Sequence, residues 1–325
     1  MSRQAGHGLS TGHHGEIIQG YFADDEAAAG GRHGLVTLPC PGLISEAWVQ
    51  RTDRARGVVD ELGGRAKAAA AGNATLEAFG ATRIGLRLHV RSTIPIGHGF
   101  GSSSADVVAT IRAVCDLLGV VIAPRELAEL AVAAEVAADP LMFEEVVLFA
   151  QRAGVVIEEL GRRLPPLRVL GFYSAPHGPG VDTLAQPPIR YPLQERGEFE
   201  RLRERLAVAV REGDAGGLGA VATASASISH RHLAVPQLDA FLEIAEAVGA
   251  VGLQVAHSGD VAGLLFEGDD PTAGGRMVRA QRLLARCGVG ATWSFSPDDT
   301  AGVDATLPAV AAAGHARRAA TGSAS

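Results

Sequence analysis

Three alternating glycines and three consecutive serines, between Gly97 and Ser104, are the residues of this chain best suited to bind a phosphate group. Glycine adopts positive φ values without strain, so successive backbone N–H groups can point into one concavity that side chains would otherwise block. The serine hydroxyls can donate hydrogen bonds to phosphate oxygens or ligate a hard cation such as Mg²⁺. This stretch is therefore predicted to cradle an anion.

A strand and a helix are predicted to hold this loop. Residues 83–91 alternate apolar and polar side chains, which indicates a strand with one buried face, and Pro95 ends its hydrogen-bond ladder. A helix is predicted to begin at Ser103 or Ser104, so that its unpaired N–H groups and its dipole face the loop. A tight turn with a serine N-cap and no ligand is an alternative interpretation of the same pattern.

Carboxylates that could hold Mg²⁺ or accept a proton follow in the next helical region. Glu135 ends an alanine-rich helix predicted from Pro124, and Asp139 lies four residues further on, before a proline. Phosphoryl transfer needs carboxylates in these roles. Spacing alone favours a simpler interpretation, in which Glu135 is a surface charge and Asp139 a helix cap.

Polar residues also cluster near the N-terminus, where His13, His14 and Glu16 precede a short apolar strand. An exposed histidine pair on a loop is the simplest interpretation of His13 and His14, because no further metal ligands lie at a compatible spacing.

A third polar cluster, His257, Ser258 and Gly259, lies between two apolar runs in LQVAHSGDVAGLLF. The pattern predicts a hairpin whose turn exposes backbone N–H groups. His257 could donate to a phosphate or a substrate, and it could equally be a structural histidine that orients the turn.

Three segments of the chain, in order, resemble the motifs of one enzyme family. The P-loop and G-x-G-x-x-G patterns do not fit residues 95–105, because no lysine follows the last glycine and the glycine spacing differs. P-I-x-x-G-x-G-S-S-S-A resembles the second motif of the GHMP small-molecule kinases, S-T-G-H-H-G-E-I-I-Q-G their N-terminal motif and A-H-S-G their third. The resemblance is strongest to the L-threonine kinases of cobalamin biosynthesis, which have a cysteine at His14, a threonine at Ala138 and a Glu-to-Asp link one residue shorter.

The resemblance implies an α+β GHMP kinase fold. Its N-terminal α/β domain would be like domain 2 of ribosomal protein S5, and its C-terminal domain would be ferredoxin-like. We expect the ATP-binding domain at residues 1–163, the ferredoxin-like domain at 164–299 and a disordered tail at 300–325. A proline- and glycine-rich loop is predicted over 174–192.

The resemblance also implies roles for the candidate residues. ATP and Mg²⁺ would be the cofactors, with Mg²⁺ bound by Ser103 and Glu135, and Asp139 would be the catalytic residue facing the acceptor hydroxyl. The predicted ATP-binding residues are Pro95, Gly97, His98, Gly99, Gly101, Ser102, Ser103 and Ser104. The predicted substrate-binding residues are His13, Glu16, His257, Ser258 and Gly259.

The first functional expectation is therefore a kinase that transfers the γ-phosphoryl group of ATP to the hydroxyl of a small amino acid, L-threonine first. A kinase for another small amino alcohol or hydroxy acid is an alternative. A nucleotide-binding sensor of the same fold that does not transfer phosphate is another.

Composition sets the cellular context. The chain has 325 residues and a net charge of −7, which argues against nucleic acid or an anionic membrane as the main partner. Its 3 cysteines are far apart in sequence, and the first ten residues lack an apolar core, so we expect a cytoplasmic protein. A homodimer is compatible with the family resemblance.

Two local predictions concern secondary structure around the candidate site. Residues 34–50 are predicted to form two strands separated by a turn at Pro39–Gly42, because proline and glycine punctuate strands. The apolar run after Asp139 is predicted to form a helix that continues through Phe149.

Overall fold

The computed structural model describes residues 3–54, 56–174, 189–256 and 260–299. The strands of this part of the chain are β1 (Ala5–Ala23), β2 (Gly31–Arg51), β3 (Gly57–Asp60), β4 (Gly85–Ser92), β5 (Val146–Ala150), β6 (Val155–Gly161), β7 (Leu167–Tyr173), β8 (Gly252–Val255), β9 (Val261–Glu267) and β10 (Thr292–Phe295). Its helices are α1 (Ala66–Ala78), α2 (Ser102–Leu118), α3 (Pro124–Glu135), α4 (Leu193–Glu212), α5 (Ala215–His230), α6 (Leu238–Val248) and α7 (Ala273–Arg286). Helices and strands are mixed throughout, as the α+β prediction requires.

The strands form one sheet in the order β10-β7-β9-β8-β1-β2-β4-β3, with β5 and β6 attached to β2. Neighbouring strands are antiparallel, except that β3 runs parallel to β4 and is joined to it through α1. The 19-residue β1 and the 21-residue β2 lie at the centre. Because β1 pairs with β2 on one side and β8 on the other, the sheet is continuous across the predicted domain boundary at 163/164, and that boundary stays a prediction.

The prediction of two strands over residues 34–50 is wrong, because β2 is one strand from Gly31 to Arg51. Its pairing with β1 shifts where Thr11 faces Ile44 and Gly12 faces Cys40. Residues 41–43 of β2 are therefore unpaired in this ladder, and a proline that lacks an N–H is tolerated at such an irregularity.

The predicted helix through Phe149 is also wrong. Residues 146–150 form β5, all five of them buried, and this strand pairs antiparallel with β6. A short continuous apolar run fits a buried strand as well as a buried helix, so periodicity could not separate the two. The strands β3 and β6 had no clear sequence signal.

The first helix after the glycine loop, α2, packs directly on β1. A Cβ added to Gly8 would lie 2.1 Å from the carbonyl oxygen of Ala109, so the strand approaches the helix backbone as closely as glycine allows. One side of α2 buries Val107, Val108 and Ile111. The close packing fixes the N-terminus of α2 against the strand that carries His13 and Glu16.

Three predicted features fall outside the part of the chain that the structure describes. They are the predicted tail at 300–325, most of the predicted 174–192 loop, and His257, Ser258 and Gly259. Within the described part, none of the helices is both long and apolar enough to cross a membrane.

Candidate active site

The glycine loop joins β4 to α2 and is built from left-handed backbone. Gly97, Gly99 and Gly101 have φ values of 83°, 82° and 72°. Gly101 is the N-cap of α2, and no side chain caps the helix, so the alternative of a serine N-cap is wrong. The N–H groups of the first helical turn thus point towards the loop and are suited to an anionic ligand.

Phe100 anchors the loop to the protein core. It is 1% exposed, and its ring lies 5.6 Å from that of His14 and 5.9 Å from that of Trp293. Sequence reasoning missed this role, although a single large apolar residue between two glycines was a usable signal. The anchor allows the glycines on either side to curve around a ligand without the loop leaving the core.

Backbone hydrogen bonds tie β1 to the same loop. The N–H of His13 donates to the carbonyl of Phe100 at 3.1 Å, and the N–H of Gly15 donates to that of Gly99 at 3.3 Å. In this region the pairing of β1 with β2 is irregular, with register shifts between His13 and Glu16. Such shifts re-aim side chains, and here they place the N-terminal motif against the glycine loop.

Ser103 and Glu135, predicted from the sequence to hold Mg²⁺, are in contact. The hydroxyl of Ser103 donates to Oε2 of Glu135 at 2.7 Å, and Glu135 is 3% exposed, so it is not a surface charge. Oε1 of Glu135 has no hydrogen-bond partner among the described residues. Burial raises the pKa of Glu135 to about 7, although hydrogen bonds from Ser103 and Ser104 oppose the rise. A buried carboxylate oxygen without a partner, beside a serine hydroxyl, fits a Mg²⁺ ion.

Ser104 links α2 to Asp139. Its hydroxyl accepts a hydrogen bond from the backbone N–H of Asp139 at 3.0 Å, and the residue is 3% exposed. The side chain is therefore already hydrogen-bonded within the protein. The group of Ser104 that can contribute to the anion site is its backbone N–H, in the first turn of α2. This contact holds the loop after α3 beside the N-terminus of α2.

Asp139 meets His13 across this junction. Nε2 of His13 lies 3.1 Å from Oδ2 of Asp139, and Nδ1 lies 3.2 Å from the carbonyl oxygen of Gly15. Burial opposes a charge on the ring, but the charges of the nearby Asp139 and Glu16 carboxylates raise the pKa of His13 to about 9. His13 and His14 are 2% and 0% exposed, so the interpretation as an exposed pair on a loop is wrong.

His13, Glu16 and Asp139 have ligand atoms within 4.8 Å of one another, which is the separation that a metal ion requires. Both ring nitrogens of His13 face acceptors, however, and a metal-binding nitrogen must offer a lone pair. The oxygen pair of Ser103 and Glu135 suits Mg²⁺ better than this cluster does.

The neighbouring His14 is buried and contacts a residue of β8. Its Nδ1 lies 2.7 Å from Nε2 of Gln254 on β8, and burial lowers the pKa of His14 to about 3, so the ring is neutral. His98, predicted to bind ATP, lies in the loop with its Nδ1 3.7 Å from Oδ2 of Asp260. These contacts connect β1 and the glycine loop to the C-terminal strands.

Two cavities adjoin the N-terminal motif and the loop after α3. The smaller, of about 20 Å³, has a polar wall made of Glu16, Gln19, Ser225 and Ser229. The larger, of about 230 Å³, extends past Gly12 and Pro140 towards Arg162 and Arg163. The larger cavity could admit a small polar molecule near Asp139, whereas the smaller one beside Glu16 has room for about one water molecule.

Comparison with known proteins identifies sequences and structures that are similar to this chain. Residues 65–142 match the family described as GHMP kinases N terminal domain. An L-threonine kinase of Citrobacter freundii is 31% identical over 183 residues, which cover 56% of this chain and 62% of that protein. The match thus spans about three fifths of the relative's length.

Solved structures extend the similarity over nearly the whole chain. The homoserine kinase of Cytophaga hutchinsonii superposes with a TM-score of 0.67 at 16% identity, covering 91% of this chain and 95% of that chain. A mevalonate kinase of Staphylococcus aureus superposes with a TM-score of 0.56 at 19% identity, covering 90% and 98%. At these identities the likeness shows the fold.

Proposed function

We propose that this chain is an ATP-dependent kinase of a small hydroxyl-bearing molecule. The match of residues 65–142 to the GHMP kinase N-terminal domain and the GHMP kinase fold support this proposal. The observation that carries the proposal is the contact of Ser103 with the buried Glu135 at the N-terminus of α2, beside Asp139. A phosphate site, a hard-cation site and a carboxylate are thereby adjacent, as phosphoryl transfer requires.

In the proposed reaction, the loop of residues 95–104 binds the phosphates of ATP through backbone N–H groups, and the N-terminus of α2 stabilises their charge. Ser103 and Glu135 would hold Mg²⁺, which neutralises charge on the transferring group when it is bound. Asp139 accepts the proton of the acceptor hydroxyl. The acceptor oxygen then forms a bond to the γ-phosphorus while the bond from that phosphorus to the β,γ-bridging oxygen breaks, and ADP leaves.

L-threonine is the acceptor that we propose first. The match to an L-threonine kinase includes more than half of this chain. The cavity of about 230 Å³ beside Gly12 and Pro140 has room for a small amino acid. A different small amino alcohol or hydroxy acid is the second candidate, because His14 replaces the cysteine of the L-threonine kinases and the structural neighbours include homoserine and mevalonate kinases.

The organisation of the chain follows the same proposal. Residues 1–163 would form the ATP-binding domain, and residues 164–299 would form the ferredoxin-like domain that completes the acceptor side. We further propose a cytoplasmic location, in keeping with the acidic net charge of −7 and the widely spaced cysteines.

ADP formation with a panel of acceptors tests the function. L-threonine, L-homoserine, L-serine, ethanolamine and mevalonate should give one strongly preferred substrate, and threonine-dependent turnover supports the first candidate. Asp139→Asn should leave ATP binding nearly intact and lower turnover by about 10²–10⁴-fold. ATP binding without turnover on any acceptor would instead identify a nucleotide sensor.

A further inference from the structure

The ring of His13 carries two protons in this site. Nδ1 lies 3.2 Å from the carbonyl oxygen of Gly15, which can only accept, so Nδ1 is a donor. Nε2 lies 3.1 Å from the carboxylate oxygen Oδ2 of Asp139. Two unprotonated atoms at this distance would repel each other, so a proton lies between the ring and the carboxylate.

The electrostatic surroundings assign this second proton to the ring. Glu16 and Asp139 both face His13, and they raise its pKa to about 9 although burial acts in the opposite direction. The N–H towards Asp139 is not aligned for a straight hydrogen bond, so the contact is an ion pair of hydrogen-bond length. An imidazolium between two carboxylates offsets one of the two negative charges in the buried cluster.

The phosphate loop fixes where this ring can lie. The backbone N–H of His13 donates to Phe100 at 3.1 Å, and a Cβ on Gly101 would lie 2.5 Å from Cδ2 of the ring. The ring therefore fills the space that glycine leaves at the start of α2. Any displacement of His13 would move both the loop and the partner of Asp139.

We propose that His13 is a positioning residue that holds the Asp139 carboxylate ionised and directed at the N-terminus of α2, and that it does not bind the acceptor. This role rests on the proposed kinase function. This role replaces the sequence-based expectation that His13 contacts the substrate, because a ring protonated on both nitrogens has no lone pair with which to accept a hydroxyl proton.

Steady-state kinetics and direct binding separate the two roles of His13. His13→Leu removes both donors, and His13→Gln keeps one donor without the charge. We expect kcat to fall about 100-fold and about 10-fold respectively, while the acceptor Kd and the MgATP Kd stay within about twofold. His7→Gln, at an exposed histidine of the same strand, is the control and should retain the wild-type kcat. A raised acceptor Kd with an unchanged kcat would overturn the proposal.

A double-mutant cycle tests whether His13 acts through Asp139. In the Asp139→Asn background, His13→Leu should change the residual turnover by less than about twofold, because the residue that it positions is already inactive. Multiplicative losses would show that His13 acts independently of Asp139 and would contradict the positioning role. His13→Gln serves in the same cycle if His13→Leu does not fold.

NMR of the ring nitrogens examines the pairing without any assay of turnover. The His13 resonances are assigned among those of 11 histidines by their loss in His13→Gln. At about pH 8, both nitrogens should be protonated in the wild type and only one in Asp139→Asn. A singly protonated ring in the wild type would overturn the proposal even in an active kinase. A doubly protonated ring in a chain without turnover would overturn the proposed function and leave the pairing intact.

Discussion

Gly101→Ala is the substitution most directly interpreted from the structure, because the same helix supplies a matched control. Gly101 precedes α2 and Gly119 follows it, with φ values of 72° and 70°. An alanine pays a similar conformational penalty at either position, about 1–2 kcal/mol. The two sites differ in what a Cβ would meet.

At Gly119 a Cβ would have no heavy atom of the described residues within 4 Å beyond its own turn of chain. At Gly101 it would lie 2.5 Å from Cδ2 of His13 and 3.1 Å from Oδ2 of Asp139. His13 cannot yield easily, because its ring is buried and tied to Gly15. Such overpacking costs about 1–3 kcal/mol, so Gly101→Ala should destabilise the fold by that amount beyond Gly119→Ala. Moving Asp139 by a few tenths of an ångström should also lower kcat by about tenfold, since a misplacement of about 1 Å can cost about 10²-fold.

Urea unfolding measures the free energies of unfolding of the two variants, and ADP formation with the preferred acceptor measures kcat. We expect Gly119→Ala to lose about 1–2 kcal/mol with the wild-type kcat. Gly101→Ala should lose more stability and most of its turnover. If Gly101→Ala and Gly119→Ala lost the same stability and had the same kcat, the packing of His13 against the start of α2 would be refuted.

Other predictions concern the metal ligands and His13. Ser103→Ala should raise the Mg²⁺ concentration needed for half-maximal turnover about tenfold, and an unchanged Mg²⁺ titration would remove Ser103 as a ligand. Because burial raises the pKa of Glu135 to about 7, protons should compete with the metal, and calorimetry should find MgATP affinity falling as pH drops below about 7. The pKa of His13 is raised from 6.5 to about 9, so its ion pair should stabilise the fold fully below about pH 6.5 and lose that contribution as pH rises through about 9. Across this window, the free energy of unfolding of the wild type should fall by about 3 kcal/mol more than that of His13→Gln. If denaturant unfolding gave the two proteins parallel pH profiles, the ion pair of His13 would be contradicted.

The glycine loop was predictable because its requirements are local. Positive φ values at Gly97, Gly99 and Gly101, and the unpaired N–H groups at a helix start, follow from a few consecutive residues. The strand before the loop and the helix after it were likewise confirmed as β4 and α2. The resemblance to the GHMP kinases was confirmed by the family match over residues 65–142, and the α+β GHMP kinase fold by the structural neighbours.

The contacts between distant segments could not be predicted from spacing. Ser103 and Glu135 are 32 residues apart and meet only because α3 packs beside α2. Spacing favoured a surface charge at Glu135, and only the resemblance suggested a metal ligand. The polar pair His13-His14 looked like a loop for the same reason, since a sequence gives no sign that two buried histidines have separate partners on Asp139 and Gln254.

The errors in secondary structure also have a physical cause. At Val146–Ala150 the apolar residues are consecutive, and strand pairing with β6 decides a choice that local propensity leaves open. At Pro39 and Pro41 the irregular pairing of β1 with β2 accommodates prolines that would interrupt a regular ladder. Both outcomes depend on a partner strand.

The central place of β1 has a consequence for how the protein is made. Glu16 pairs with Val255, so β1 leaves the ribosome well before the β8 residues that it pairs with. At about 5–20 residues per second, this interval is roughly 10–50 s. During that time the edge of β1 that will face β8 is unpaired, and it is a surface that chaperones can cover or that can join another nascent chain. The pairing that joins β1 to the C-terminal strands would therefore form late, when β8 docks.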